Sequence, residues 1–165
     1  MPARPSNGAR PGIPAPGRSD NFEMSPREPL EVAVAVIERE GKYLIAQRKP
    51  EDSFGGQWEF PGGKLQAGEE LEKCLIREIR EELGITISVG PLLRVIEYAY
   101  PHRVIRLHCF LAEVAGGQPQ AIECSDWRWV EPQEMGNFSF PPASGLLIEA
   151  LQKKRDAPFG DTPSR

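Results

Sequence analysis

At 165 residues and 39% hydrophobic composition, the chain can build one globular domain with some tail to spare. A net charge of −4 without a basic stripe argues against a general nucleic-acid binder. No apolar run approaches the length of a membrane span and the N-terminus has no apolar signal core, so a cytoplasmic protein bound to neither membrane nor nucleic acid is expected.

Residues 1–28 are read as a disordered tail, because seven prolines fall within the first 29 residues and no apolar periodicity accompanies them. The domain proper is expected over residues 29–154, and 155–165 read as a second loose tail. The run EVAVAVIERE sets Val32, Val34 and Val36 against Ala33, Ala35 and Ile37, apolar on both sides, as in a strand covered on two faces. GKYLIAQRK reads as its hairpin partner, with Gly41 in the turn. A polar, Gly-rich passage through Gly55, Gly56, Gly62 and Gly63 follows. Next come a helix from about Glu69 to Leu83 with Gly84 as C-cap, strands near Thr86 to Tyr100 and Arg103 to Val114, a short strand at DWRWVEP, and a last helix from about Ala143 to Lys154. Such interleaving predicts an α/β fold, a mixed sheet with helices on both faces.

The cysteines Cys74, Cys109 and Cys124 show no metal-ligand spacing and read as small hydrophobes; His102 and His108 have no nucleophilic partner nearby in sequence. The first helix asks for more explanation. Leu71, Leu75, Ile79 and Leu83 form its core stripe, while Glu78, Glu81 and Glu82 share an arc of about 100° bordering it. Acids crowded at a partly buried edge raise one another's pKa unless a cation neutralises them, and oxygen donors without His or Cys favour Mg2+, with Mn2+ as substitute. The alternative is a solvated, salt-bridged helix face, with Arg77 and Glu81 as an i,i+4 pair.

The wider spacing bears on that choice. Gly63, Glu69, Arg77-Glu78, Ile79, Glu81-Glu82, Gly84 and Ile85 fit G-x5-E-x7-R-E-U-x-E-E-x-G-U, with U apolar, at every fixed position. Seven fixed identities agree by chance on the order of once in 10^8 to 10^9 trials. The sequence resembles the Nudix hydrolases from about Leu30 to Leu151, which implies the Nudix α/β/α sandwich with its loop–helix–loop box. The resemblance further implies a pyrophosphohydrolase with Mg2+ bound by Glu78, Glu81, Glu82 and the Gly62 carbonyl, and with Arg77 orienting the cluster. Glu69 takes a supporting or capping place.

Within the superfamily the chain is similar to the MutT-type enzymes through WEFPGGK, QRK and FPPAS. That likeness implies an 8-oxo-dGTP diphosphatase-like enzyme that sanitises the nucleotide pool in support of DNA replication and repair, as a monomer or weak dimer. Position by position it makes Arg48 a phosphate or ribose contact and Phe60 an aromatic beside the base; the alternatives are a strand-end surface charge for Arg48 and plain core for Phe60. Arg103 matches an arginine near the base pocket, or is a solvated turn residue. Glu123 matches a late-chain glutamate that serves as extra metal ligand or base. Ser144 stands where 8-oxo-dGTP enzymes carry an asparagine, so cytidine triphosphate and 5-methyl-dCTP remain alternative substrates. A non-catalytic recognition module is a further alternative, opposed by the complete set of box glutamates.

Overall fold

The computed structural model describes residues 28–156; residues 1–27 and 157–165, which hold nearly all of both expected tails, lie outside them. In chain order the elements are β1 (Leu30–Arg39), β2 (Lys42–Gln47), β3 (Trp58–Glu59), β4 (Gly62–Lys64), α1 (Leu71–Leu83), β5 (Thr86–Tyr100), β6 (Arg103–Gly116) and β7 (Asp126–Val130). A 3-10 turn at Pro132–Asn137 leads into α2 (Pro142–Asp156).

Strand β1 is the hub of a seven-stranded mixed sheet. It runs parallel to β6 from the pair Leu30↔Ile105 to Ile37↔Ala112. On its other side it takes β4 antiparallel at Val32 to Val34, and its end turns into β2 through Glu40 and Gly41. Both turn residues have positive φ (53° and 81°), as a two-residue hairpin matched to strand twist requires. β2 also carries β3 and β7, and the long β5–β6 hairpin closes the opposite edge.

The two-sided apolar pattern of β1 is used as expected. Ala33, Ala35 and Ile37 pack under α1 with Leu75, Ile79 and Leu83, while Val34 and Val36 join Ile45, Trp58, Leu147 and Leu151 on the α2 face. Small alanines at the first face let the helix approach the sheet, and each large aliphatic buried there stabilises the fold by about 1.5–3 kcal/mol. This is the α/β sandwich expected.

Helix α1 starts at Leu71, two residues later than its periodicity suggests, because Glu70 is still extended and Glu69 accepts the Gln66 N–H (3.0 Å) to close the preceding turn. Leu71, at that open end, is only partly buried; Cys74 takes a fully buried place beside the stripe. Gly84 ends the helix at φ 70°, and its N–H donates to the Arg80 carbonyl at 2.9 Å. All three cysteines are buried free thiols. β3, β4 and the 3-10 turn fall in passages that carry no readable periodicity.

Candidate active site

The loop between β3 and α1 is seated on β1. The Ala35 N–H donates to the Pro61 carbonyl (2.8 Å), and the Leu65 N–H to the Glu31 carbonyl (3.1 Å). A Cβ on Gly62 would overlap the Ala33 carbonyl oxygen, and one on Gly63 would overlap the carboxyl of Glu78. Gly62 is therefore required by its close approach to the strand, while Gly63 leaves room for an acid of α1.

Arg77 organises the helix face. Its Nε and Nη2 donate to the two oxygens of Glu69 at 2.8 and 3.0 Å, while Nη1 reaches Glu78 at 3.1 Å and Glu81 at 3.3 Å. The Arg77 hydrogen bond, with that of the Gln66 N–H, holds the Glu69 carboxyl down to about 2, and the carboxyls of Glu69 and Glu78 raise the guanidinium's own pKa. The i,i+4 pairing read from sequence is present, and Glu69, two residues before the helix begins at Leu71, is the strongest partner of Arg77.

Three other carboxyls are driven the opposite way. Burial pushes the Glu82 carboxyl well up, with the charges of Glu59 and Glu78 adding to it and a hydrogen bond from the Gly62 backbone opposing. Burial likewise raises Glu78 and Glu59, against the lowering influence of Arg77 and Arg48 respectively. Oε1 of Glu82 is buried without a hydrogen-bond partner. Among the described residues no three acids or histidines already stand together at metal-ligating separation. The donor set nonetheless fits a hard divalent cation: an orphaned buried carboxylate oxygen, a second carboxylate under the same glycine loop, and mutual repulsion that a cation relieves.

Glu78 and Glu82 open into a pocket of about 540 Å³, whose walls also include Arg48, Phe60, Gly62 and Ser144. Six of the ten site residues read from sequence are thus brought together. Arg48 donates to Glu59 at 2.7 Å and also to the Ser53 carbonyl. Phe60 is buried and stacks on Phe140, with centroids 5.8 Å apart, so it is core as well as wall.

The other four lie outside the pocket wall. Arg77 stands behind the acids, and Glu81 is half exposed and drawn to Arg77. Arg103 opens β6 opposite Tyr100, on the sheet face that carries the wall residues Ile105 and Leu107. Glu123 is exposed, and its backbone N–H donates to the Glu82 carbonyl at 3.1 Å, which places it at the C-terminal end of α1.

Glu59, Phe54 and Tyr100 also line the pocket and escaped the sequence reading. For Glu59 a signal existed. Trp58 and Phe60 point to the α2 core, so the acid between them turns to the α1 side, opposite Ala46 and toward the helix carboxylates.

A family model described as the NUDIX domain matches residues 32–150. The chain belongs to the Nudix family. Among relatives of this Nudix protein is a CTP pyrophosphohydrolase of Escherichia coli, 38% identical over 128 residues, covering 78% of this chain and 95% of that one. An 8-oxo-dGTP diphosphatase of the same organism is 34% identical over 125 residues, covering 75% and 97%. The solution structure of the E. coli ORF135 protein superposes with a TM-score of 0.69 at 38% identity, covering 80% of this chain and 94% of that one. A MutT protein from Methanosarcina mazei superposes equally well, with a TM-score of 0.69 at 23% identity over 79% of this chain and 99% of that one, and so shares the fold. The chain is a Nudix hydrolase, a class that acts on small nucleotide substrates with divalent metals. Among the described residues no helix is long and apolar enough to cross a membrane.

Proposed function

We propose that this Nudix hydrolase converts nucleoside triphosphates to nucleoside monophosphate and pyrophosphate with Mg2+, with 8-oxo-dGTP as first substrate and cytidine-type triphosphates as second. The observation that carries the reading is the mixed lining of the pocket. The acids Glu78 and Glu82 and the Gly62 loop share its wall with Phe60, Val32, Val34 and Leu107, with Ser144 as a hydroxyl among them. A nucleotide brings both a polyanionic chain, for the cation that the acids would hold, and a flat base for the apolar residues.

Glu78, Glu82 and the Gly62 carbonyl would hold the cation, with Glu81 and Glu123 as further ligands once their side chains turn inward. A divalent cation there neutralises the phosphate oxygens and lowers the pKa of an attacking water. The chain's own work is placement. Arg77 fixes the carboxylate face, Arg48 offers its guanidinium to phosphate in exchange for Glu59, and the apolar walls exclude water from the base. Arg103, at the start of β6, would reach the nucleotide from the rim.

Ser144 favours the cytidine-type reading as the second choice, because a hydroxyl makes about one net hydrogen bond, on the order of 1 kcal/mol, where an amide makes two. The test is a triphosphate panel with Mg2+, comparing kcat/KM for 8-oxo-dGTP, dGTP, dCTP and 5-methyl-dCTP in the parent and in Ser144→Asn. A parent that prefers 8-oxo-dGTP, with a sharper ratio over dGTP in the variant, is expected. A parent that prefers dCTP promotes the second reading, and one that cleaves none of the four refutes both.

A further inference from the structure

Between β2 and β3 the chain makes a loop, Arg48 to Gln57, that carries one large apolar side chain at its tip. Phe54 is 45% exposed and its backbone sits at φ 55°. A bulky side chain in the left-handed region is disfavoured, and Gly55 and Gly56 next to it show residue types that would bear such geometry freely. Neither burial nor backbone preference favours phenylalanine there.

The ring nevertheless has a definite place. It lines the rim of the pocket, 5.6 Å from the ring of Tyr100 at an inclination of 52°, and Tyr100 in turn lies 4.8 Å from Tyr98. The Tyr100 hydroxyl accepts the Ala143 N–H at 3.1 Å, which ties this aromatic row to the start of α2, one residue from Ser144. The loop is stapled as well. Gln57 N–H donates to the Phe54 carbonyl and Gly56 N–H to the Arg48 carbonyl, each at 3.0 Å, while the Arg48 side chain donates to the Ser53 carbonyl. The aromatic tip and the Arg48 guanidinium are therefore parts of one hydrogen-bonded loop.

We infer that Phe54 is a substrate-binding residue of this site, whose ring stacks on the nucleobase of the bound nucleotide with Tyr100 behind it. The inference rests on the proposed nucleotide substrate and adds to it a contact through the π-face, which accepts any base and contributes affinity, while discrimination between bases stays with the Ser144 hydroxyl.

The experiment measures binding of a deoxynucleoside monophosphate and of inorganic tripolyphosphate, with Mg2+, to the parent, Phe54→Gly and Phe54→Trp. Phe54→Gly removes the ring and relieves the left-handed strain, so its Tm should equal or exceed the parent's. Its affinity for the monophosphate should fall about five- to a hundredfold, while tripolyphosphate, which has no base, binds as before; Phe54→Trp should restore the loss. If both ligands weaken equally, or neither does, the stacking role is refuted. If the parent binds monophosphates through Phe54 but cleaves no triphosphate, the proposed reaction falls and the stacking contact stands.

Discussion

Replacing Glu82 with glutamine separates what this residue does for the fold from what it does for the site. The carboxyl lies buried, takes one hydrogen bond from the Gly62 backbone and leaves Oε1 without a partner. Glutamine keeps the acceptor for Gly62 and leaves a neutral orphan in place of a charged one. A buried polar group left unsatisfied costs about 1–3 kcal/mol and a charged one more, so without metal the variant should gain about 1–1.5 kcal/mol at neutral pH. For a domain of this size the gain is a rise of about 4–6 °C in Tm. The sign with pH follows from the raised pKa. Between the ordinary carboxylate value and the raised one, the folded state binds more protons than the unfolded. The contribution of protonated Glu82 is thus fully present below about pH 4 and is lost as pH rises through the folded pKa. The advantage of Glu82→Gln should accordingly be seen at pH 7.5 in EDTA and vanish near pH 4. Mg2+ should raise the Tm of the parent more than that of the variant, whose turnover should fall by orders of magnitude. Thermal melts at the two pH values with and without Mg2+ decide it. A variant that melts at or below the parent at pH 7.5 in EDTA would refute the reasoning.

Gly63→Ala should push the Glu78 carboxyl aside and lower kcat/KM about 10- to 100-fold, with little change in Tm because the displaced group is the end of a flexible side chain; an unaffected kcat/KM would place Glu78 outside the reaction. Arg77→Lys loses the fork that grips Glu69, so the Glu69 carboxyl should rise from about 2 toward its ordinary value, and the stability that the parent loses as pH falls through that range should shrink. NMR titration of Glu69 reads this directly. The thiols of Cys74 and Cys124, pushed by burial up to about 11, and Cys109, pushed up to about 12, should react with a thiol reagent at pH 8 more than about a hundredfold slower in the native protein than after unfolding. A fast-reacting thiol in the native state would mean that the core opens locally.

Features that repeat along the chain were readable from it. The stripe Leu75, Ile79, Leu83, the stop at Gly84, the β1–β2 hairpin and the two-faced apolar pattern of β1 are local patterns, and each occurs as its period suggests. The box spacing located Arg77, Glu78 and Glu82, because a helix converts spacing into a face. β3 and β4 span two and three residues and exist only through pairing with β1 and β2, so no period could reveal them. Glu59 acquires its burial from that pairing, and Phe54 its place from contact with Tyr100, forty-six residues later in the chain. Glu123 follows no helix or strand register, and a spacing argument cannot fix which way its side chain points.

The parallel ladder between β1 and β6 governs how this site comes into being during folding. Glu31 and Arg106, 75 positions apart, meet across it at 2.7 Å, and the glycine loop hangs on the opposite side of the same strand. Closing so long a chain segment costs entropy before any pairing rewards it, which makes such contacts late and slow. The acids of α1 can form their helix early, but the cradle that faces them is assembled only when β4 has paired with β1, the strand that the distant β6 flanks on its other side. A truncated or half-folded chain therefore presents an acidic helix without its cradle, and recovery of activity on refolding should follow the slowest structural phase rather than the appearance of helix.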